Sequence, residues 1–144
     1  MPKLFLLPEY IVKHEYEDLI AFLGKDWSSM TGDQLEKYFE AIFWFTPEAF
    51  CYYLPGIFSA GINDDIPELI VNHSVVEMLD RSQDYEMWDE FFLERWPLLS
   101  TQECEAAQEW ILWLSSCGET SFSDNSLSRS FDTLELLKTR QAAK

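Results

Sequence analysis

The side chains here with most scope for chemistry are two histidines, three cysteines and an excess of carboxylates. His14 falls opposite the stripe Val12, Tyr16, Leu19, Ile20 and Leu23 of a helix predicted over residues 8–23. Glu17 and Asp18 follow it at i+3 and i+4, the spacing of a surface ion pair. A catalytic imidazole needs a second positioned partner, and none is in register. His73 shares a stripe with Leu69, Val76 and Leu79, and Glu77 lies one turn on. A zinc site needs three or four protein ligands, so His73 reads as a hydrogen-bonded histidine near the core. Cys51, Cys104 and Cys117 are odd in number and lack paired spacing, which points to buried thiols in a reducing compartment.

Other chemistries lack their residues. The five glycines are scattered and none precedes Lys-Ser or Lys-Thr, so no loop is built to cradle phosphate. Asn63-Asp64-Asp65 has neither the glycine nor the spaced acids of a calcium loop. Neither histidine has a glutamate three residues before it, as a di-iron bundle requires. The expectation is a protein that is not an enzyme, with no metal and no cofactor.

Charge is the stronger signal. Ten basic residues against twenty-six acidic ones leave −16 over 144 residues. A field of that sign repels nucleic acid and anionic membranes and favours a basic protein partner. From Tyr38 to Asp80 there are seven acids and no Lys or Arg, and from Asp84 to Glu119 a single Arg95 faces nine acids. Glu86, Glu90 and Glu94 recur every four residues, with Asp89 beside them, and Glu105 and Glu109 repeat the spacing. Like charges at i,i+4 cost a few tenths of a kcal/mol per pair, about 0.2–0.5. These six acids are therefore the expected partner surface, against the plainer reading of a solvated face.

The elements that must position them are helical, because the apolar residues recur with period 3.6 and no stretch alternates as a strand would. Thr31-Gly32-Asp33-Gln34 has capping-box spacing and opens a helix to Phe45, whose predicted face is Leu35, Tyr38, Phe39, Ile42 and Phe43. Trp27 is expected to anchor the preceding turn. Thr46 and Pro47 start the central arm, Pro55 is predicted to interrupt it, and Phe50, Tyr53, Leu54, Ile57 and Phe58 form one apolar surface if helix resumes. Asp65 and Glu68 are placed to cap the next helix, to Asp80. A fifth helix over 84–95 turns Tyr85, Trp88, Phe92 and Trp96 inward. Ser100-Thr101-Gln102-Glu103 opens a sixth to Cys117, with Ala107, Trp110, Ile111 and Leu114 inward.

The predicted fold is all-α, a compact bundle of about six or seven helices with a kinked central helix. Its expected organisation is a core over 1–118, a Ser-rich linker over 119–130 and a C-terminal helix over 131–144, all one domain. The Leu4-Phe5-Leu6-Leu7 run is stopped by Pro8 and is too short for a signal segment, so a cytoplasmic location is expected.

Phe22-Leu23-Gly24-Lys25-Asp26-Trp27, followed by Phe45-Thr46-Pro47-Glu48-Ala49-Phe50 and Tyr52-Tyr53-Leu54-Pro55, carries a resemblance. The pattern, G-K-x-W and then T-P-E-A-F-x-Y-Y-L-P, resembles a family of small acidic bacterial proteins similar to immunity proteins of contact-dependent or polymorphic toxin systems. It covers only the arc between Gly24 and Gly61 and brings no catalytic residues. What it implies is binding and neutralisation of a toxin domain, a nuclease being the type whose basic groove suits an acidic inhibitor. The alternatives are an acidic adaptor or regulatory subunit, and an enzyme whose site follows no familiar motif.

Overall fold

The computed structural model describes residues 21–22 and 24–142. Among them the chain is all-α, with no strand beyond an isolated bridge residue at Phe45. The α-helices are α1 (Gly32–Lys37), α2 (Pro47–Asn63), α3 (Ile70–Leu79), α4 (Glu90–Arg95), α5 (Thr101–Ser116) and α6 (Asp124–Ala142). Short 3₁₀ segments lie at Trp27–Ser29, Phe39–Phe43, Tyr85–Met87 and Trp96–Leu98. The chain divides into two compact units, Met1–Val71 and Asn72–Lys144. The helix predicted over residues 8–23, with His14, lies outside the described residues apart from Ala21 and Phe22.

The first unit is built on α2. Thr46 caps it by accepting the Ala49 N–H at 3.1 Å, and Pro47 occupies its first turn. The helix runs through Pro55 as one element of 17 residues, so the predicted interruption is absent. A proline at mid-helix removes one donor and crowds the preceding turn; here the burial on both sides of it outweighs that loss. Phe50, Tyr53, Leu54 and Ile57 are all 1% exposed or less, and each fully buried side chain of this size contributes about 1.5–3 kcal/mol. Phe58 is buried as well, which makes the single apolar surface expected of this stretch.

Packing against α2 requires contacts that the sequence alone did not announce. The Tyr53 hydroxyl is buried and directed at the carbonyls of Phe22 and Lys25, each 3.1 Å away. Phe22 meets Phe45 edge-on at 5.7 Å, and Phe45 stacks on Tyr53 at 5.0 Å. Trp27, expected as an anchor, is 36% exposed; the Asp26 carboxylate accepts the Ser28 N–H at 2.9 Å and the Ser28 hydroxyl at 2.7 Å and helps hold the turn. Gly56 makes that approach feasible: a Cβ there would lie 2.5 Å from the Trp27 carbonyl oxygen and collide with the Met30 sulfur.

Helix α1 is shorter than predicted. Thr31 caps it, accepting the Gln34 N–H at 3.2 Å, but it ends at Lys37 and gives way to the 3₁₀ segment. In a 3₁₀ helix the face repeats every three residues. Ile42 takes the buried side, while Phe43, placed inward by an α-helical reading, is 42% exposed; Phe45, past the end of the segment, is buried as well. The end of α2 is a Schellman turn: Asp65 adopts φ 54°, the Ile66 N–H reaches the Gly61 carbonyl at 2.9 Å and the Asp65 N–H that of Ile62 at 3.2 Å. Helix α3 starts at Ile70, whose N–H is accepted by Glu36 of α1 at 2.9 Å, a cap from outside the Asp65–Glu68 turn.

In the second unit, α5 packs along α6. The Ser100–Glu103 capping box is present in both directions, at 3.1 and 2.9 Å. Ala107, Trp110, Ile111 and Leu114 are buried as predicted, and so are Trp88, Phe92 and Trp96; the Tyr85 side chain lies outside the described residues. The expected linker is absent from Asp124 onward, where α6 begins. Ser123 accepts the Ser126 N–H at 3.0 Å, and the fully buried Ser130 bonds the carbonyls of Ser126 and Val76 at 2.8 and 3.3 Å. Of the serines read as a linker, Ser123 is a cap and Ser130 is packed on the helix, while Ser121 and Ser128 are exposed as expected.

Replacing Gly56 with alanine is expected to destabilise the protein by about 1–3 kcal/mol, the range for overpacking a filled site. Urea unfolding should show a lower midpoint with an unchanged slope; a midpoint equal to that of the wild type would contradict the close approach of the Trp27–Met30 turn.

Candidate partner-binding surface

Every one of the six predicted partner residues is exposed, yet they fall in three settings. Glu86 lies in the Tyr85–Met87 3₁₀ turn, and α4 does not begin until Glu90. The break has a local cause: the Trp88 indole N–H donates to the Ser82 carbonyl at 2.9 Å, and Asp89 is extended, at φ −77° and ψ 164°. Glu86 is thereby off the face that Glu90 and Glu94 share. Asp89 caps α4, accepting the Phe92 N–H at 3.3 Å, and is ion-paired with Arg81. Glu94 lies 3.4 Å from the Arg95 guanidinium. On α5, Glu105 and Glu109 stand one turn apart as predicted.

Arg95, the one base counted against the acids of this region, is 1% exposed. Its guanidinium is over the Phe91 ring at 3.9 Å and donates to the Phe91 carbonyl at 3.3 Å. The one base of this stretch is thus buried against Phe91, with Glu94 beside it. Lys138 of α6 has the opposite role: it bonds Glu135 at 2.9 Å and Gln108 at 3.1 Å, and its ammonium is held above the ordinary lysine range, first by Glu135 and more weakly by Glu105.

Between α5 and α6 lies an open groove of about 300 Å³ that sequence reasoning missed. Ile111, Leu112 and Ser115 come from α5, and Asp124, Leu127, Ser128 and Phe131 from α6. Ile111 and Leu127 are buried at its floor, whereas Leu112 is 50% exposed. At one end the Gln108 amide donates to the Phe131 carbonyl at 3.3 Å and to Glu135 at 3.1 Å. A sequence signal existed in the i, i+3, i+7, i+10 spacing of Leu127, Ser130, Leu134 and Leu137, masked by the serines around it.

The residues considered for chemistry have structural settings. His73 is half-buried, stacked on Phe122 at 4.0 Å and 9°, with Nε2 3.3 Å from the Ser121 hydroxyl. Among the described residues no three His, Cys, Asp or Glu side chains gather as a metal site. Cys104 is fully buried, and burial pushes its thiol up to about 11; Cys51 and Cys117 are half-buried. Among the described residues no helix is long and apolar enough to cross a membrane.

Two outcomes follow from these environments. A thiol reagent at neutral pH should modify Cys117 in the native protein and reach Cys104 only on unfolding, because the thiolate is the reactive form; equal rates would contradict the burial. Arg129 forms a two-pronged pair with Asp80, and its hydrogen bond holds the Asp80 carboxyl below the usual range. A depressed carboxylate adds stability above its unfolded pKa of about 3.9 and loses it as pH falls through the folded value. Arg129→Gln should therefore be less stable at neutral pH, the difference closing in acid, with the Asp80 carbon resonance titrating nearer its normal value. An unmoved titration would mean that the pair does not persist in solution.

No protein family, no curated protein and no solved structure matches this chain.

Proposed function

We propose that this chain is an immunity-type protein that binds a basic toxin domain in the cytoplasm and neutralises it by occupation, without catalysis or a cofactor. The observation that carries this reading is the distribution of charge. The net charge is −16; Glu90, Glu105 and Glu109 are exposed on α4 and α5, and the nearby Arg95 is buried. Such a surface gains most in encounter rate, since a complementary field can raise association by about 10–10³-fold and weakens with salt. A nuclease, whose own groove is basic in order to hold phosphates, is the toxin type that fits best. The G-K-x-W and T-P-E-A-F-x-Y-Y-L-P resemblance points the same way.

Asp89 and Glu94 have neighbours in Arg81 and Arg95, so Glu90 and Glu109 are the more informative positions to reverse. The Glu90→Lys/Glu109→Lys double variant should fold, with stability within about 0.5 kcal/mol of wild type, as for most surface changes. It should associate with the toxin encoded beside its gene at least about tenfold more slowly, with a flatter salt dependence. Cells expressing that toxin should lose protection. Full protection by the folded double variant would eliminate these helices as the contact surface.

A further inference from the structure

We propose that the α5–α6 groove seats one basic amphipathic helix of the protein partner; this rests on the reading above that the partner is basic. Three features argue for such an occupant. The first is length: the lining on α6 runs from Asp124 to Phe131, eight residues and a rise of about 10 Å. That is the span over which a helix presents anchors at i, i+3 or i+4, and i+7. The second is the character of the floor and walls. Ile111 and Leu127 are buried, but Leu112 remains half-exposed on one wall, which leaves apolar surface for the partner's side chains to cover.

The third feature is charge. Glu109, exposed, precedes Leu112 by three residues and so shares its side of α5; Glu105 lies a turn beyond Gln108, toward Lys138. On α6, Asp124 lines the groove and Asp132, exposed, follows Ser128 by one turn. Lys138 is engaged by Glu135 and Gln108 at the closed end. Arg129 is paired with Asp80. An apolar trough with acids along both rims fits a helix that is apolar on one face and carries Lys or Arg on its flanks. A neutral or acidic helix would leave those carboxylates without gain and in part desolvated.

The test uses the full chain, ¹⁵N-labelled, and a synthetic helix of roughly 14 residues with Leu at i, i+3 and i+7 and Lys elsewhere. A scrambled peptide of the same composition is the control. The amphipathic peptide should shift the amides of Ile111, Leu112, Ser115, Leu127, Ser128 and Phe131 and bind at least about tenfold more tightly than the scramble. Leu112→Gln should bring the affinity down to that of the scramble. Leu112 is half-exposed, so this variant should fold; Ser128→Trp, which fills the groove from the other helix, provides a second variant. If the scramble binds as tightly, or both variants bind like wild type, the groove is not the seat and the basic-partner reading stands. If neither peptide binds, the groove proposal falls, while the basic-partner reading is judged separately by the Glu90→Lys/Glu109→Lys variant. Concentration-dependent shifts of the same amides with a dimer mass and no peptide would also overturn the proposal, since a second copy would then be the occupant.

Discussion

The arrangement depends on how the free N–H groups at helix starts are satisfied. Each helix begins with donors that have no partner within it, and the aligned peptide dipoles make that end positive. In this chain acidic side chains do much of that work. Asp64 accepts the Gly32 N–H at 2.8 Å, Glu36 that of Ile70 at 2.9 Å, and Asp89 that of Phe92 at 3.3 Å. Two of these bonds cross between elements: Asp64, just past α2, fixes the start of α1, and Glu36 of α1 fixes the start of α3. Gly32 permits the first, because a Cβ there would lie 2.8 Å from the Asp64 carboxylate. Helices α1 and α4 have six residues each, far below the roughly 12–15 at which an isolated helix becomes even marginal. They exist because their ends are capped and their apolar sides covered.

This use of acids changes the meaning of the net charge. Asp26, Asp64, Glu36, Asp84, Asp89 and Glu103 each accept a backbone N–H, so part of the acidity is structural. Asp80 is similarly committed to Arg129. The carboxylates left for a partner are fewer than the composition suggests, and they concentrate on particular helix faces. Glu105 and Glu109 belong to that remainder, and α5 contains no basic residue. Arg95 is committed as well, buried against Phe91 with Glu94 beside it.

The two units solve the burial of polar groups in different ways. In the first, the Tyr53 hydroxyl is carried deep into an apolar cluster, and the carbonyls of Phe22 and Lys25 meet it there. Burial pushes this phenol up to about 12, so it stays protonated and able to donate. In the second, Gln108, Glu135 and Lys138 form a three-membered clasp between α5 and α6 at the edge of the core. The clasp fixes the register of the two helices while leaving the stretch toward Asp124 open, and that opening is the groove.

Sequence by itself determined the all-α class, the apolar surface of α2, the Ser100–Glu103 cap and the inward face of α5, because these rest on period and local hydrogen bonding. It also located the exposed acids of α5, whose spacing within one helix is a local property. Tertiary structure alone decided the rest. Continuity through Pro55 depends on burial that pattern reading cannot weigh, and the turn outward of Phe43 depends on 3₁₀ rather than α geometry. Glu36 capping Ile70 joins residues 34 apart in the chain, so no local motif encodes it. Composition misled at 119–130, where serines resembled a linker; Ser123 and Ser130 are ordered there because α3 and α5 supply what α6 packs against. The groove was illegible for the same reason, since its walls belong to two helices and exist only once those helices meet.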